Sequence, residues 1–532
     1  MHKKLLAVAV TSTLLAMGAA QAQNVSGTGD VLIGSIYSTE AGQDTYINIV
    51  NTTEDAKAVK VRFREGRGSE DSLDFHVYLS PSDMWAAAVT KNSAGEVVVV
   101  TQDTSCTVPF ISANPETTGA KMRTTYIPAV FEGDAEARVR EGYVEIIEMA
   151  SFGDDTSRPD DYDDDDEAAD ALSTWDPEEE LDPQLIAWAS KHVGGVPRAC
   201  GAINDFNGAD HSPETDSTAL FLAPTSGLFG NMGLINVQQG TYVPFEMDAF
   251  LTFNDGAIFF SQNATEGDGS LLGYTLDEGL IFEKTVVGGA GDLQHFDLPD
   301  LSTVAQPLGF LMIDRLFDLN DQMNSTAVVS EYVVDTSIGA STDWVLTFPT
   351  KRFHSNGAYV FDLEGQAPLP VGTQLGDPLN DAIPPFSRAF NQRTGAACEP
   401  IRLSYFDREE RTPVTPPGGP DFSPGRPDVA PGVNLCFEMN VVSFNDPDLD
   451  SPSRVVGGVT TRQNLNVIYQ SGWGRIDFRN TAGARDYGLP VLGFSAYNLV
   501  NNNVAGGVLA NYGGAFANRY VLGEGNNDLL LP

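Results

Sequence analysis

The feature that most constrains the fold is a series of short segments in which apolar and polar residues alternate. Six such segments follow one another near the N-terminus: DVLIGSIYST, TYINIVNTT, AVKVRFREG, DFHVYLSP, MWAAAVT and EVVVVTQD. Because successive side chains of a strand point to opposite faces, alternation with a period of two predicts strands buried on one face. Regular short strands separated by Gly, Asn, Asp and Ser predict an antiparallel β-sandwich of the Ig-like type.

The segment VKVRFRE illustrates the expected division between core and solvent. Its apolar side chains are predicted to face the core: Val59, Val61 and Phe63. The basic side chains between them are predicted to face water: Lys60, Arg62 and Arg64. In TYINIVN, the face that carries Ile47 and Ile49 is the expected core side.

Similar strand patterns resume after about residue 204 and continue towards the C-terminus. We therefore expect a mainly β protein with an Ig-like domain over 23–203, a β-rich domain over 204–395 and a β-rich region over 396–532. The last two ranges form a single domain in the alternative division. One short helix is predicted near 183–193, because Asp182 can cap it and Pro183 suits its first position. Leu185, Trp188 and Ala189 would form its apolar face.

Residues 1–22 have the organisation of a secretory signal peptide. Lys3 and Lys4 precede a short apolar stretch, and the small residues of AQA offer a cleavage site after Ala22. The apolar stretch is shorter than the roughly 20 residues needed to span a bilayer. We therefore expect an exported chain without a transmembrane span.

Export gives the four cysteines a structural meaning, since thiols oxidise outside the cytoplasm. Four cysteines allow three pairings, and neither a C-x-x-C motif nor a histidine cluster accompanies them. Pairing between nearest neighbours is favoured, which joins Cys106 to Cys200 and Cys398 to Cys436.

The formal net charge of −42 excludes several partner classes. Nucleic acid and anionic membranes would be repelled by such a charge. Adaptation to high salt, where charges are screened, and calcium loading are both compatible with it.

The acidic run DDYDDDDEAAD, Asp160 to Asp170, belongs to an expected disordered insertion at 153–182. Blocks of like charge repel one another and are normally solvated. If Cys200 pairs with Cys106, this run is an excursion within the first domain and not a boundary.

Several stretches considered together resemble a known family. They are YINIVNTTEDAKAVKVRFREG, VYLSPSDMW, SCTVP, GYVEIIEMA, TDWVLTFPTKRF, YFDREE with DFSP, LCFEMNVVSF and VLANYGG. The chain resembles exported proteins of Gram-negative bacteria that are generally labelled hypothetical or cell-surface proteins. The resemblance implies an exported location and a β-rich build, and it brings no activity and no catalytic residues.

A search for catalytic motifs yields one candidate cluster. Neither a G-x-S-x-G elbow nor an H-E-x-x-H pair is present, and His192 is expected to be a surface or packing residue. The segment YFDREER could pair Asp407 or Glu409 with a second carboxylate for glycoside hydrolysis. The alternative is an exposed strand end that carries ordinary ion pairs.

Two loops have partial calcium-binding character. NDPDLDSP places Asp446, Asp448 and Asp450 at alternating positions, and NDFNGAD offers the oxygens of three further residues: Asp205, Asn207 and Asp210. Calcium takes six to eight oxygen ligands, and neither loop has the distal glutamate of an EF-hand. The alternative is Asx turns at strand ends.

Aromatic residues are the remaining candidates for ligand contact. Trp85, Trp344 and Trp473 lie in strand patterns where burial is expected, whereas Trp175 in the acidic segment should be accessible.

Three functions follow from these features. The leading hypothesis is a non-enzymatic exported protein of structural or adhesion type, which contacts surface or matrix components. The alternatives are a secreted carbohydrate-active or carbohydrate-binding protein, which would use Asp407, Glu409 and surface tryptophans, and a self-assembling fibre subunit. No cofactor other than calcium is implied.

Overall fold

A computed structural model describes most of the strand-forming sequence. The described residues are 27–124, 134–157, 183–208, 221–252, 256–259, 262, 299, 301, 316, 318–356, 385–388, 396–412, 433–446, 448–478, 488–501 and 510–522. The signal segment, the acidic run and Trp175 lie outside these residues.

The described chain is mainly β, as the alternation predicts. Its strands are β1 Val31–Ser38, β2 Gln43–Asn51, β3 Lys57–Glu65, β4 Asp71–Leu79, β5 Met84–Lys91, β6 Val97–Val100, β7 Cys106–Val108, β8 Glu141–Ser151, β9 His192–Val193, β10 Val196–Pro197, β11 Leu228–Asn236, β12 Thr241–Glu246, β13 Asp248–Phe250, β14 Asn324–Val333, β15 Ala340–Thr347, β16 Glu399–Asp407, β17 Val433–Leu435, β18 Met439–Phe444, β19 Arg462–Leu465, β20 Ser471–Asp477, β21 Leu489–Pro490, β22 Phe494–Leu499, β23 Tyr512–Ala517 and β24 Arg519–Leu522. Its short helices include α1 Ala135–Arg138, α2 Pro183–Ser190, α3 Cys200–Gly208 and α4 Lys351–Asn356, and the 3-10 turns include Glu40–Gly42 and Thr336–Ile338.

These strands build four large sheets. Sheet 1 has the order β13-β1-β8-β3-β4-β7, and sheet 2 has the order β12-β11-β2-β5-β6. Sheet 3 has the order β17-β16-β20-β14-β21 with β24 also beside β14, and sheet 4 has the order β19-β18-β15-β22-β23. Together the four sheets resemble a four-bladed propeller arrangement. The strand order of sheets 1 and 2 differs from the ABED and CFG sheets of an Ig domain.

The sheets also divide the chain differently from the boundary expected at residue 203. Strand β11 pairs with β2 along its whole length, from Leu228 opposite Asn51 to Asn236 opposite Gln43. Strand β13 pairs with β1. The N-terminal sheets are therefore completed by segments from the expected second range, because strand pairing is a long-range choice that local alternation does not encode. Sheets 3 and 4 mix strands from 324–347 and 399–522.

Strands β15 and β18 of sheet 4 are buried on both faces. Val345 and Val441 belong to the core cluster shared with sheets 1 and 2, whereas the adjacent Trp344 and Val442 belong to the cluster shared with sheet 3. Since neighbouring residues of a strand point to opposite faces, this sheet separates two hydrophobic cores. Two-sided burial accounts for the burial of every residue of β18, including Asn440 and Ser443.

Strand β3 corrects one expectation of the sequence analysis. Val59, Val61 and Phe63 are in the core as predicted. The three basic side chains between them are at most 1 % exposed instead of facing water: Lys60, Arg62 and Arg64. Each is paired with a carboxylate, respectively Asp74 (2.9 Å), Asp71 and Glu145 (3.4 Å). Because both faces of the sheet are covered, the charges remain buried as ion pairs.

Hydrogen bonds join the N-terminal sheets to the later ones. The buried Glu141 carboxylate accepts from the backbone N–H groups of Val459 (2.8 Å) and Thr461 (2.9 Å). Thr347 Oγ1 donates to the Ser35 carbonyl (2.6 Å). Buried polar contacts of this kind fix the relative position of the sheets.

Helix α2 folds back on sheet 1 as the cysteine pairing predicts. Ile186, Ala187 and Ala189 are buried in a cluster that contains Cys106 and Met149. The expected apolar face is rotated, because Leu185 and Trp188 are only partly buried. The disulfide Cys106–Cys200 and the disulfide Cys398–Cys436 are both formed, which is the nearest-neighbour pairing.

Candidate functional site

A candidate surface site is an open groove of about 730 Å³ between strand β14 of sheet 3 and strands β22 and β23 of sheet 4. We call it the aromatic groove. Its lining includes the aromatic side chains Tyr332, Trp473, Tyr497 and Phe516 and the charged side chains Glu331, Asp407, Arg408 and Arg519. Apolar faces combined with a few polar groups are the usual composition of a ligand site.

Trp473 provides one aromatic surface of the groove. It is 41 % exposed, although its strand pattern predicts burial. The register places it between Phe406 on β16 and Glu331 on β14. Its ring stacks on Phe406, with the ring centroids 4.5 Å apart and the planes at 20°. The stack holds the indole in place while leaving one side of it accessible.

Phe516 and Tyr497 provide the second aromatic surface. Their rings stack at 5.2 Å with an interplanar angle of 15°, and Phe516 is 53 % exposed. Gly514 lies opposite Tyr497 in the strand pair. A Cβ atom at Gly514 would come within 2.7 Å of the Tyr497 hydroxyl, so only glycine leaves the ring room to lie across β23.

Tyr332 lies at the bottom of the groove. The residue is 3 % exposed, and its hydroxyl has no hydrogen-bond partner among the described residues. Burial, followed by the neighbouring Tyr405 and Asp407, raises the pKa of Tyr332 above its ordinary value, so the hydroxyl stays protonated. Because the hydroxyl oxygen is itself buried, Tyr332 contributes to the floor of the groove and its hydroxyl is not presented to a ligand.

The edge of β14 beside the groove is closed by side chains. Strand β24 pairs with β14 only as far as Val329. Beyond it, Trp344 Nε1 (2.8 Å) and Ser495 Oγ (3.1 Å) donate to the Glu331 carbonyl. Because these groups occupy the acceptor that an added strand would use, this edge is protected against β-augmentation.

Asp407 has a structural partner on each carboxylate oxygen. Oδ1 accepts from the backbone N–H groups of Glu409 and Arg411, both at 2.8 Å, and Oδ2 accepts from Arg411 Nε at 2.5 Å. Burial raises its pKa, but these hydrogen bonds outweigh burial and lower the pKa below its ordinary value. Glu409 is largely exposed and lies 3.4 Å from Arg411. In the segment YFDREER, both Asp407 and Glu409 therefore form ion pairs with Arg411 in a turn at the end of a strand.

The three tryptophans in strand patterns differ in exposure. Trp85 and Trp344 are fully buried, as expected, whereas Trp473 is not. The difference arises because Trp473 lies on the outer face of sheet 3. The sequence analysis also missed Tyr497, Phe516 and Arg519, since no local pattern indicates that β23 and β24 meet the end of β14.

The loop that contains Asp446, Asp448 and Asp450 is arranged around an arginine. The Arg462 guanidinium lies 2.6 Å from the Asp446 carboxylate. It also donates to the carbonyls of Asp446 (3.1 Å), Asp448 (2.7 Å) and Ser451. Asp448 Oδ2 instead accepts from Ser451 Oγ, and both Asp448 and Asp450 are exposed. A fixed cationic group therefore already satisfies oxygens that a calcium ion would need.

The remaining predicted site residues are dispersed. Asp205 and Asn207 belong to helix α3, although their side chains and the whole of Asp210 lie outside the described residues. His192 is partly buried, with Nδ1 3.6 Å from Asp83. In the part of the chain that the structure describes, no three His, Cys, Asp or Glu side chains are grouped to hold a metal ion.

Comparisons with known proteins add no family to this geometry. No family model, no curated protein and no solved structure matches the chain. Within the described residues, no helix is long and apolar enough to cross a membrane.

Proposed function

We propose that the chain is an exported, non-enzymatic surface or extracellular protein of adhesion type that binds glycans in the aromatic groove. The observation that carries the proposal is that two exposed aromatic side chains, Trp473 and Phe516, line one groove, each held by a ring stack, on Phe406 and Tyr497 respectively. Sugar rings present C–H groups to aromatic faces and hydroxyls to polar side chains. The groove offers both kinds of contact.

The charges of the groove suit such a ligand. Glu331 can accept hydrogen bonds from hydroxyls, and Arg408 and Arg519 can donate to hydroxyls or to carboxylate groups of acidic sugars. Fixed aromatic side chains reduce the ordering cost of binding, because their rings are already held by stacking.

Two further features support export and a binding role. Two disulfides are typical of proteins that fold in an oxidising compartment. Within this proposal, sheets 1 and 2 support the groove-bearing sheets, to which the Glu141 carboxylate of β8 is hydrogen-bonded.

The test is a glycan array followed by calorimetry of the full chain with the strongest ligand. We expect Trp473→Ala to weaken binding at least about tenfold, because it removes an aromatic platform. Phe110→Ala is the matched control, since Phe110 is 76 % exposed and does not line the groove. Equal affinity of the Trp473→Ala variant and the wild type would refute the proposal.

The alternative proposal is a carbohydrate-active enzyme whose catalytic carboxylates lie in the YFDREER segment. Reducing-end assays on the same glycans separate it from a binding protein. Turnover that Glu409→Gln abolishes would establish catalysis and displace the non-enzymatic proposal.

A further inference from the structure

A second cavity lies between strand β12 of sheet 2 and strands β22 to β24. Its volume is about 740 Å³, and we call it the tyrosine cavity. Its lining includes the aromatic side chains Tyr46, Tyr242, Phe245, Phe494 and Tyr520 and the carboxylates Glu246 and Asp248. None of these residues lines the aromatic groove.

Two of its tyrosines are positioned by a glycine between them. Gly233 on β11 pairs with Tyr46 on β2, and Tyr242 lies on the neighbouring strand β12. A Cβ atom at Gly233 would be 2.3 Å from the Tyr242 ring, so the ring lies directly over the glycine. Tyr242 is 46 % exposed. The result is an accessible aromatic face on the outer side of sheet 2.

Side-chain contacts hold the other aromatic groups. Tyr520 donates its hydroxyl to the Gly493 carbonyl at 2.9 Å. Phe245 and Phe494 stack with ring centroids 4.4 Å apart. Asn48 donates to the Tyr46 hydroxyl at 3.1 Å. The cavity is therefore preformed, as is usual for small-molecule sites.

Within the described residues, the tyrosine cavity has carboxylates but no cationic side chain, whereas the aromatic groove has both. Among the described lining residues of the tyrosine cavity, Glu246 and Asp248 are charged and none is Lys, Arg or His. The aromatic groove, by contrast, contains Arg408 and Arg519. Aromatic faces with carboxylates and without cations are complementary to a positively charged ligand, because the ring faces carry negative electrostatic potential.

We propose that the tyrosine cavity binds a small organic cation of the quaternary ammonium or protonated amine class. The aromatic faces of Tyr46, Tyr242 and Tyr520 supply cation–π contacts, and Glu246 and Asp248 supply the counter-charge. The net charge of −42 raises the local concentration of cations around the chain and adds to this preference. The inference does not depend on glycan binding.

The experiment uses choline as a soluble quaternary ammonium probe in calorimetric titration of the full chain. Its matched control is 3,3-dimethylbutan-1-ol, which has nearly the same shape and no charge. We expect choline to bind at least about tenfold more tightly than the alcohol, since each cation–π contact alone contributes about 2- to 30-fold. Equal affinities for choline and the alcohol would overturn the proposal. So would the absence of choline binding at about 100 mM, which is 100-fold above a weak Kd of about 1 mM.

Variants assign the binding to this cavity. Glu246→Gln and Tyr242→Ala should each weaken choline binding severalfold, and Tyr242→Phe should retain it because the ring remains. Glu54→Gln, at an exposed carboxylate that lines neither cavity, is the control and should bind choline as the wild type does. Choline binding that survives both cavity substitutions would overturn the assignment. Thermal melts check that every variant is folded.

Discussion

Replacing Arg462 by methionine is expected to lower the free energy of unfolding by about 3–5 kcal/mol. The Arg462 side chain is completely buried, and its partner Asp446 is only 10 % exposed. Methionine fills similar space but leaves the Asp446 carboxylate without its 2.6 Å partner. Three loop carbonyls also lose a charged donor. Most of the expected loss arises because the largely buried Asp446 carboxylate keeps only the exposed Arg454 as a charged partner.

Arg454 offers a control at the same carboxylate. Its guanidinium lies 3.4 Å from Asp446 but is 59 % exposed. Arg454→Met should therefore cost at most about 1 kcal/mol, because exposed ion pairs are screened by water. Adding Asp446→Asn to Arg462→Met should recover part of the loss, since the remaining partner is then neutral.

Urea unfolding gives the required values from the midpoint and slope of each transition. An Arg462→Met variant as stable as the wild type would refute the view that this guanidinium organises the loop. The same samples test the calcium prediction. The wild type should gain no stability in millimolar calcium if Arg462 already occupies the position of the cation, and a rise in its midpoint would establish calcium binding at or near Asp446.

Two further predictions concern pH and the acidic run. Burial raises the pKa of Glu148 from 4.5 to about 7, despite Lys57 Nζ at 2.7 Å. Between pH 4.5 and 7 the folded chain therefore binds more protons than the unfolded chain. The contribution of Glu148 to the free energy of unfolding is fully present below pH 4.5, and it decreases by up to about 3 kcal/mol as the pH rises to 7. Urea unfolding at several pH values should show that Glu148→Gln removes this decrease, and identical pH profiles would contradict the assignment. Deleting Asp160 to Asp170 should change the melting temperature little, because Gln184 Nε2 donates to Ser157 Oγ at 2.8 Å and already brings the ends of the excursion together. A large drop in melting temperature, or loss of secretion, would show that the run is needed for folding.

The local pattern of the chain predicts much of its secondary structure. Period-two alternation places Ile47, Ile49 and Val59 in the core, and they are completely buried. Alternation succeeds here because it reflects the geometry of a single strand. The sequence allowed three pairings of its four cysteines and favoured nearest neighbours, and this pairing is the one formed.

The candidate site could not be predicted in the same way. Its aromatic surfaces lie on β16 and β20 of sheet 3 and on β22 and β23 of sheet 4, and strand order alone brings them beside β14, which is more than 60 residues earlier in the chain. The arginine in the Asp446 loop likewise comes from β19, through a parallel pairing with β18. The sequence of the loop suggested calcium binding because it contains three aspartates. It does not indicate that a distant arginine neutralises them.

The sequence by itself determined the strands, their apolar faces and the excess of negative charge. Tertiary structure decided which strands are covered on both faces. For this reason Arg62 and Arg64 are buried, whereas Trp473 is exposed. The physical reason is that alternation shows only which side chains share a face of a strand. Whether a face meets water, a second sheet or a distant counter-ion depends on long-range packing, which no short segment encodes.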